Sequence, residues 1–248
     1  LAQQPDLWQQ GLTPLMQKYG LLQQLPDNRW QIRYWAEQQA PYPETDHLAE
    51  ALVPLQQWLT ELIQTPLWGN QQTSLSTLNE GSYRAELEFW LAVQHCSSAQ
   101  LDALVQQYLW PELSRPALRT TQLQGMLKGF IDLTLQGADG RYWVLDYKSN
   151  WLGPADADYS PEAMQYTLLD KRYDVQAALY MLALHRLLKL RQPGYLQAPQ
   201  NYIGGALYWF IRAPEQGQLL LNADIKLLLQ LDALFAGEPV APETDYAV

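Results

Sequence analysis

The sequence is poor in cysteine and histidine, with one cysteine, Cys96, and three histidines among 248 residues. A single thiol excludes a disulfide framework and any zinc or iron–sulfur site built from several cysteines. The chain also lacks a run of about 20 apolar residues, the length that a membrane-spanning helix needs. We therefore expect a cytoplasmic protein of a reducing compartment, without a membrane segment.

Positive charge is scarce as well, since 16 Lys and Arg stand against 26 Asp and Glu, for a net charge of −10. Taken alone, this balance argues against a nucleic-acid-binding protein. However, residues 115–191 contain ten of the cations and only eight of the acids, so this segment carries +2 and the remainder −12. The middle of the chain is thus electrostatically distinct from its flanks. With 48% apolar residues, the chain can bury a core.

The hydrophobic period changes along the chain. Residues 7–22 and 46–64 repeat apolar side chains at helical spacing, and from about residue 82 the period is two. We predict three parts: a helical N-terminal region over 1–78, a core over 79–237, and a tail over 238–248. The first residues lack an initiator Met and a basic leader, which we interpret as the cut end of a longer protein.

The core region alternates strand and helix patterns. Its strongest local signal is the turn sequence GADG between two alternating segments, which predicts a β-hairpin. The order of elements predicts an α/β fold with a mixed central sheet flanked by helices. The predicted elements are a strand at 83–93, a helix at 97–109, hairpin strands at 126–136 and 141–149, a helix at 173–191, a strand at 203–213 and a closing helix at 223–237.

The hairpin brings charged side chains together. If its turn is centred near residue 139, Asp132 and Asp146 lie directly opposite each other, with side chains about 5 Å apart on one face. Lys148 lies two residues further along, so strand alternation places it on that face too.

Two neighbouring carboxylates repel each other unless a positive charge lies between them. Carboxylate oxygens suit Mg²⁺ or Mn²⁺, and a metal so held can activate water against a phosphate. Lys148 could orient or deprotonate that water, or neutralise the transition state. The alternative is a solvated cross-strand pair of acids with a salt bridge.

The motifs GMLKGFIDL, VLDYKSNWLG and YDVQAALYMLALHR together resemble the C-terminal nuclease domain of the RecB subunit of RecBCD, within the PD-(D/E)xK nuclease superfamily. The resemblance covers residues 80–212 well, and 45–80 and the last helix more loosely. It implies a restriction-endonuclease-like core. It also implies that Asp132 and Asp146 bind the catalytic metal together with the carbonyl of Tyr147, and that Lys148 is catalytic.

The resemblance implies roles for further residues. Gln176 and Tyr180 match a Q-x3-Y motif expected to position the DNA backbone or the metal-bound carboxylates. The family places a metal-binding Glu on an earlier strand, where Glu86 is the better match and Glu88 the alternative, because both are predicted to share one face.

One family feature has no match, a metal-binding His on an upstream helix. His47 is a weak candidate, and we expect the true element to precede Leu1. No Walker A motif is present, so a helicase motor would also lie upstream. The best predictions for DNA contacts are Trp151, Lys171 and Arg172.

The resemblance implies an Mg²⁺-dependent exodeoxyribonuclease, with Mn²⁺ as a substitute and Ca²⁺ as an inhibitor. It would degrade linear single strands fed by a helicase, with RecC-like and RecD-like subunits, in double-strand break repair and recombination. One alternative is a free-standing exonuclease of the superfamily, which commonly carries iron–sulfur cysteines that this chain lacks. The other is an inactive nuclease-like module that binds partners or DNA.

Overall fold

The computed structural model describes residues 5–18, 21–32, 44–68 and 72–239. The chain forms two compact units, residues 1–64 and residues 65–248. The predicted boundary at residue 78 stays a prediction, and residues 240–248 of the predicted tail lie outside the described part. Within the described ranges, no helix combines the length and the apolar character that crossing a bilayer requires.

The described part of the first unit contains two helices in the regions that the periodicity predicted, although the first ends at Lys18 and Leu22 belongs to a strand. It also contains a small antiparallel sheet that the periodicity did not predict. Its strands have only two or three residues, too few for an alternating pattern to be recognised. Met16, Leu22 and Leu52 form its small core. The elements are α1 (Pro5–Lys18), β1 (Leu22–Gln24), β2 (Trp30–Ile32), β3 (Glu44–Thr45) and α2 (Leu48–Gln64).

The second unit is built on a five-stranded mixed sheet in the order β4-β5-β6-β7-β8. Strands β6 and β7 are parallel and the other pairs antiparallel, so the predicted fold class is confirmed. A parallel pair needs a long crossover, and two helices, α4 and α5, supply it. The elements are β4 (Tyr83–Ser97), α3 (Ser98–Tyr108), β5 (Gln122–Gln136), β6 (Tyr142–Lys148), α4 (Pro161–Asp170), α5 (Tyr173–Arg191), β7 (Ile203–Phe210), β8 (Gln218–Asn222) and α6 (Ile225–Ala236).

Two of these elements, α4 and β8, were not predicted. Helix α4 nevertheless carries a start signal, because Ser160 accepts a hydrogen bond from the backbone of Ala163 and Pro161 occupies the first turn. Strand β8 is a five-residue segment beside the buried β7, and so short an apolar run does not distinguish strand from helix.

The predicted hairpin is confirmed. Strands β5 and β6 pair from Leu133–Leu145 to Gln136–Tyr142. The turn closes through Gly140, whose φ of 80° favours glycine. This pairing determines which residues meet at the other end of β6, where the candidate site lies.

Helix α5 begins at a buried ion cluster. Asp174, which is fully buried, accepts hydrogen bonds from Arg115 at 2.8 Å and from Arg172 at 3.1 Å. Arg172 also pairs with Asp102 at 2.5 Å. These contacts join α3, the segment before β5 and the first turn of α5, so they hold that turn in place.

We expect Asp174→Asn to lower the free energy of unfolding by about 3–5 kcal/mol, because it leaves the buried guanidinium of Arg115 without its counter-charge and removes one of the two acids that pair with Arg172. Urea denaturation measures the change. Asp170→Asn is the matched control, since Asp170 is 41% exposed in its pair with Lys171 and should cost less than about 1 kcal/mol. Equal effects of the two substitutions would contradict a structural role for the cluster.

Acid should weaken the same cluster. Burial tends to raise the pKa of Asp102, but hydrogen bonds from Arg172, Gln106 and the backbone of Leu118 outweigh it and hold the pKa below its usual value. The resulting stability is complete above the pKa of an unfolded aspartate, about 3.9. It is lost as the pH falls through the lower pKa of the folded state. Asp102→Asn should therefore flatten the acid limb of a stability–pH curve measured with urea, and an unchanged limb would count against this assignment.

Candidate active site

Three acids occupy corresponding positions on three neighbouring strands. In the β4–β5 pair, the register on either side places Glu86 opposite Asp132. In the β5–β6 pair, the last paired residues are Leu133 and Leu145, and Asp132 and Asp146 are the next residues along the two strands. Glu86 has a φ of 50°, so the regular strand is interrupted at this point. Burial, followed by the negative charges of these acids, raises the pKa of the Tyr180 phenol to about 12. The negative charges of all three acids therefore act on one side chain of α5.

The two aspartates differ in their surroundings. Asp132 Oδ2 accepts a hydrogen bond of 3.0 Å from the backbone N–H of Tyr147. Asp146 is only 5% exposed, and its Oδ2 lies 2.5 Å from Lys148 Nζ in an ion pair without hydrogen-bond geometry. Burial raises the pKa of Asp146, Lys148 opposes this and the charge of Asp132 adds to it. A further cation near both carboxylates would relieve their repulsion.

Lys148 connects the acids to α5. Its Nζ donates a hydrogen bond of 3.0 Å to Gln176 Oε1, and Gln176 Nε2 donates one of 2.8 Å to the hydroxyl of Tyr180. Gln176 and Tyr180 lie one turn apart on α5, as the sequence predicted. The structure adds that their link to the acids passes through the lysine.

The geometry favours Glu86 over Glu88 as the third acid. Glu88 forms an ion pair of 3.2 Å with Lys128 and accepts a hydrogen bond of 2.6 Å from Trp90 Nε1. These two contacts lower the pKa of Glu88. Glu86, in contrast, acts electrostatically on Tyr180. Sequence spacing could not separate the two acids, because they are two residues apart on one strand and are therefore expected on the same face.

The three residues expected to contact DNA have different surroundings in the structure. The guanidinium of Arg172 donates to Asp102, Asp174 and the carbonyl of Pro116, and its contact with DNA stays a prediction. Lys171 is 55% exposed in a surface pair, and Trp151 is 50% exposed. Both stay predictions.

Sequence reasoning missed three residues near the site. Tyr173 and Tyr208 surround Lys148, and Arg212 lies 5.8 Å from the ring of Trp151. Tyr173 precedes Gln176 by almost one helical turn, a spacing that could have suggested it. Tyr208 lies on the fully buried strand β7, where the sequence offers no such signal.

The donor set fits a hard divalent cation. Asp132, Asp146, the carbonyl of Tyr147 and Glu86 offer only oxygen ligands, which Mg²⁺ prefers. In the described ranges, no group of three or more His, Cys, Asp or Glu side chains is placed to hold a metal ion. Mg²⁺, however, is commonly bound by one or two carboxylates and keeps several waters, which matches a pair of aspartates.

Comparisons with known proteins point in the same direction. Residues 22–243 match the family model of the PD-(D/E)XK nuclease superfamily. The chain is 39% identical over 189 residues to the RecBCD enzyme subunit RecB of Escherichia coli K12, covering 74% of this chain and 16% of that protein. It is 34% identical over 186 residues to RecB of Haemophilus influenzae Rd, covering 73% and 15%. It is 43% identical over 100 residues to RecB of Mycobacterium tuberculosis H37Rv, which covers 40% of this chain and 9% of that protein. The chain thus spans less than a fifth of these relatives.

We expect Mg²⁺ or Mn²⁺ to raise the thermal unfolding midpoint of the protein. A cation at one hundred times its dissociation constant adds about 2.7 kcal/mol to the folded state. Asp132→Asn and Asp146→Asn should remove this stabilisation, because each deletes one charged ligand. Differential scanning fluorimetry with and without the cation measures it.

Glu86 and Glu88 provide a matched pair for the same measurement. Glu86→Gln should weaken the stabilisation by the cation, whereas Glu88→Gln should leave it unchanged, since Glu88 is bound to Lys128 and Trp90. The opposite pattern would assign the third acid to Glu88.

Proposed function

The chain belongs to the PD-(D/E)XK nuclease superfamily, and from this membership we propose that it is a RecB-type nuclease domain that hydrolyses phosphodiester bonds of DNA with Mg²⁺. The observation that carries the proposal is the pair of Asp132 and Asp146 at the end of the hairpin, with the ammonium of Lys148 2.5 Å from Asp146. Mn²⁺ would substitute for Mg²⁺, and Ca²⁺ would occupy the site without supporting cleavage.

Asp132, Asp146, the carbonyl of Tyr147 and Glu86 would hold the cation. A cation there would lower the pKa of a bound water and neutralise negative charge on the phosphate. Lys148 donates hydrogen bonds, so its ammonium would orient the attacking water and neutralise charge that develops on the phosphate oxygens. Gln176 accepts from Lys148 and so keeps the ammonium beside the acids.

The DNA strand would approach along the exposed side chains next to the site. Trp151 is half exposed and follows β6 by three residues, so its ring is available to stack on a base. Arg212 lies beside that ring and donates to the carbonyl of Ser149. Together with Lys171, these residues are the proposed contacts to the strand.

The larger setting is proposed from the relatives. They are RecB subunits of an enzyme named RecBCD, so RecC-like and RecD-like subunits are the proposed partners, and the cytoplasm is the proposed compartment. A helicase motor would feed single strands to this domain, which would degrade them as an exonuclease during double-strand break repair and recombination. Such a motor would also supply DNA affinity that a chain of net charge −10 lacks.

We expect the protein to cleave linear single-stranded DNA in Mg²⁺ or Mn²⁺ and not in Ca²⁺. Asp146→Ala should reduce the rate at least a hundredfold, because it removes both a charged ligand and the partner of Lys148. Release of labelled nucleotides measures the rate, and far-ultraviolet circular dichroism checks the fold.

Glu88→Gln serves as the activity control, since it alters an acid of the same sheet that is bound to Lys128 and Trp90. Undiminished cleavage by Asp146→Ala would refute the assignment. Binding of DNA without cleavage in any divalent cation would favour the alternative of an inactive binding module.

A further inference from the structure

The ammonium of Lys148 is enclosed by three contacts. Its Nζ lies 2.5 Å from Asp146 Oδ2, 3.0 Å from Gln176 Oε1 and 3.5 Å from the centre of the Tyr173 ring. An ammonium has three N–H donors; one is donated to Gln176 Oε1, and Asp146 balances the charge as an ion pair. The face of an aromatic ring is the negative part of its quadrupole, so Tyr173 presents a third attractive surface to the same cation.

This cation–ring contact is close and shielded from solvent. Such contacts extend to about 6 Å and gain strength when the cation is desolvated. Lys148 is only 7% exposed, so water competes little with the ring for the ammonium. Ordinary core packing would explain an aromatic residue at this place, but not why its ring faces a buried cation.

Tyr173 is itself held by Tyr208. The two rings stack with centres 6.1 Å apart and planes at 20°. The Tyr208 hydroxyl lies 2.6 Å from the carbonyl of Tyr173 and 3.2 Å from Gln176 Oε1. Tyr208 is 1% exposed and pairs with Asp146 in the β6–β7 register. It therefore ties the first turn of α5 to the strand beside the acids.

We propose that Tyr173 is a positioning residue for Lys148, with its ring face holding the ammonium between Asp146 and Gln176, and with Tyr208 fixing the ring. A lysine stem is long and flexible, and an entering phosphate attracts the ammonium away from the acids. The ring restricts that displacement. The consequence for the rate rests on the proposed nuclease function, whereas the contact itself is a property of the fold.

The test compares Tyr173→Leu, which removes the ring, with Tyr173→Phe, which keeps it, in the 248-residue chain. Tyr166→Leu makes the same change at a tyrosine that is 73% exposed on α4. The first readout is the NMR signal of the Lys148 ε-methylene in protein labelled at lysine, assigned by its absence in Lys148→Met. A ring face close to the ammonium shifts this signal upfield of ordinary lysines.

We expect the upfield shift in the wild type, in Tyr173→Phe and in Tyr166→Leu, and its loss in Tyr173→Leu. The second readout is the kinetics of single-stranded DNA cleavage. Tyr173→Leu should lower kcat by about tenfold to thirtyfold with KM nearly unchanged, and Tyr173→Phe should restore most of the rate. A residue that served only the fold would instead lower the unfolding midpoint and leave the lysine signal upfield.

An ordinary lysine signal in the wild type would overturn the proposal, and so would full kcat in a folded Tyr173→Leu. If the wild type cleaves no DNA, the proposed function fails, and the NMR comparison alone decides whether Tyr173 holds Lys148. If Tyr173→Leu does not fold, Tyr208→Phe replaces it. This variant removes the hydroxyl that binds the Tyr173 carbonyl and should reduce the upfield shift, and an unreduced shift would contradict the role of Tyr208.

Discussion

The repulsion between Asp132 and Asp146 is the constraint on which the rest of the site depends. One hairpin brings the two carboxylates to the end of β6, and the burial of Asp146 makes its negative charge costly. The nearest positive charge is Lys148, which the chain itself supplies two residues later. A buried pair of carboxylates attracts a cation, and that cation could act on a phosphate.

The surrounding fold keeps this arrangement rigid. The acids and Lys148 lie on strands, and Gln176 and Tyr180 lie on a helix packed against the sheet, which places functional groups more accurately than loops do. The cluster around Asp174 holds the first turn of that helix on one side. Tyr208 holds it on the other. The ionic cluster and the candidate site are thus joined through a single turn of α5.

Much of the candidate site could be predicted from the sequence, because the hairpin that brings Asp132 beside Asp146 is a local structure. The turn sequence GADG sets the hairpin register, and the register alone places Asp132 beside Asp146. The Q-x3-Y spacing likewise predicts that Gln176 and Tyr180 share a helix face. The role of Arg172 could not be predicted in this way, since its partners Asp102 and Pro116 lie 70 and 56 residues away. A basic pair in a loop has the same pattern whether it contacts DNA or closes a buried ion cluster.

The sequence by itself determined the class of fold, the hairpin and the acids that the hairpin brings together, because turn chemistry and strand alternation act between near neighbours. Only the tertiary structure decided that Glu88 is held by Lys128 of the neighbouring strand, and that Tyr173 and Tyr208 enclose Lys148. Those choices depend on how separate strands and a helix pack against one another. Packing is a property of distant segments in contact, which no local pattern records.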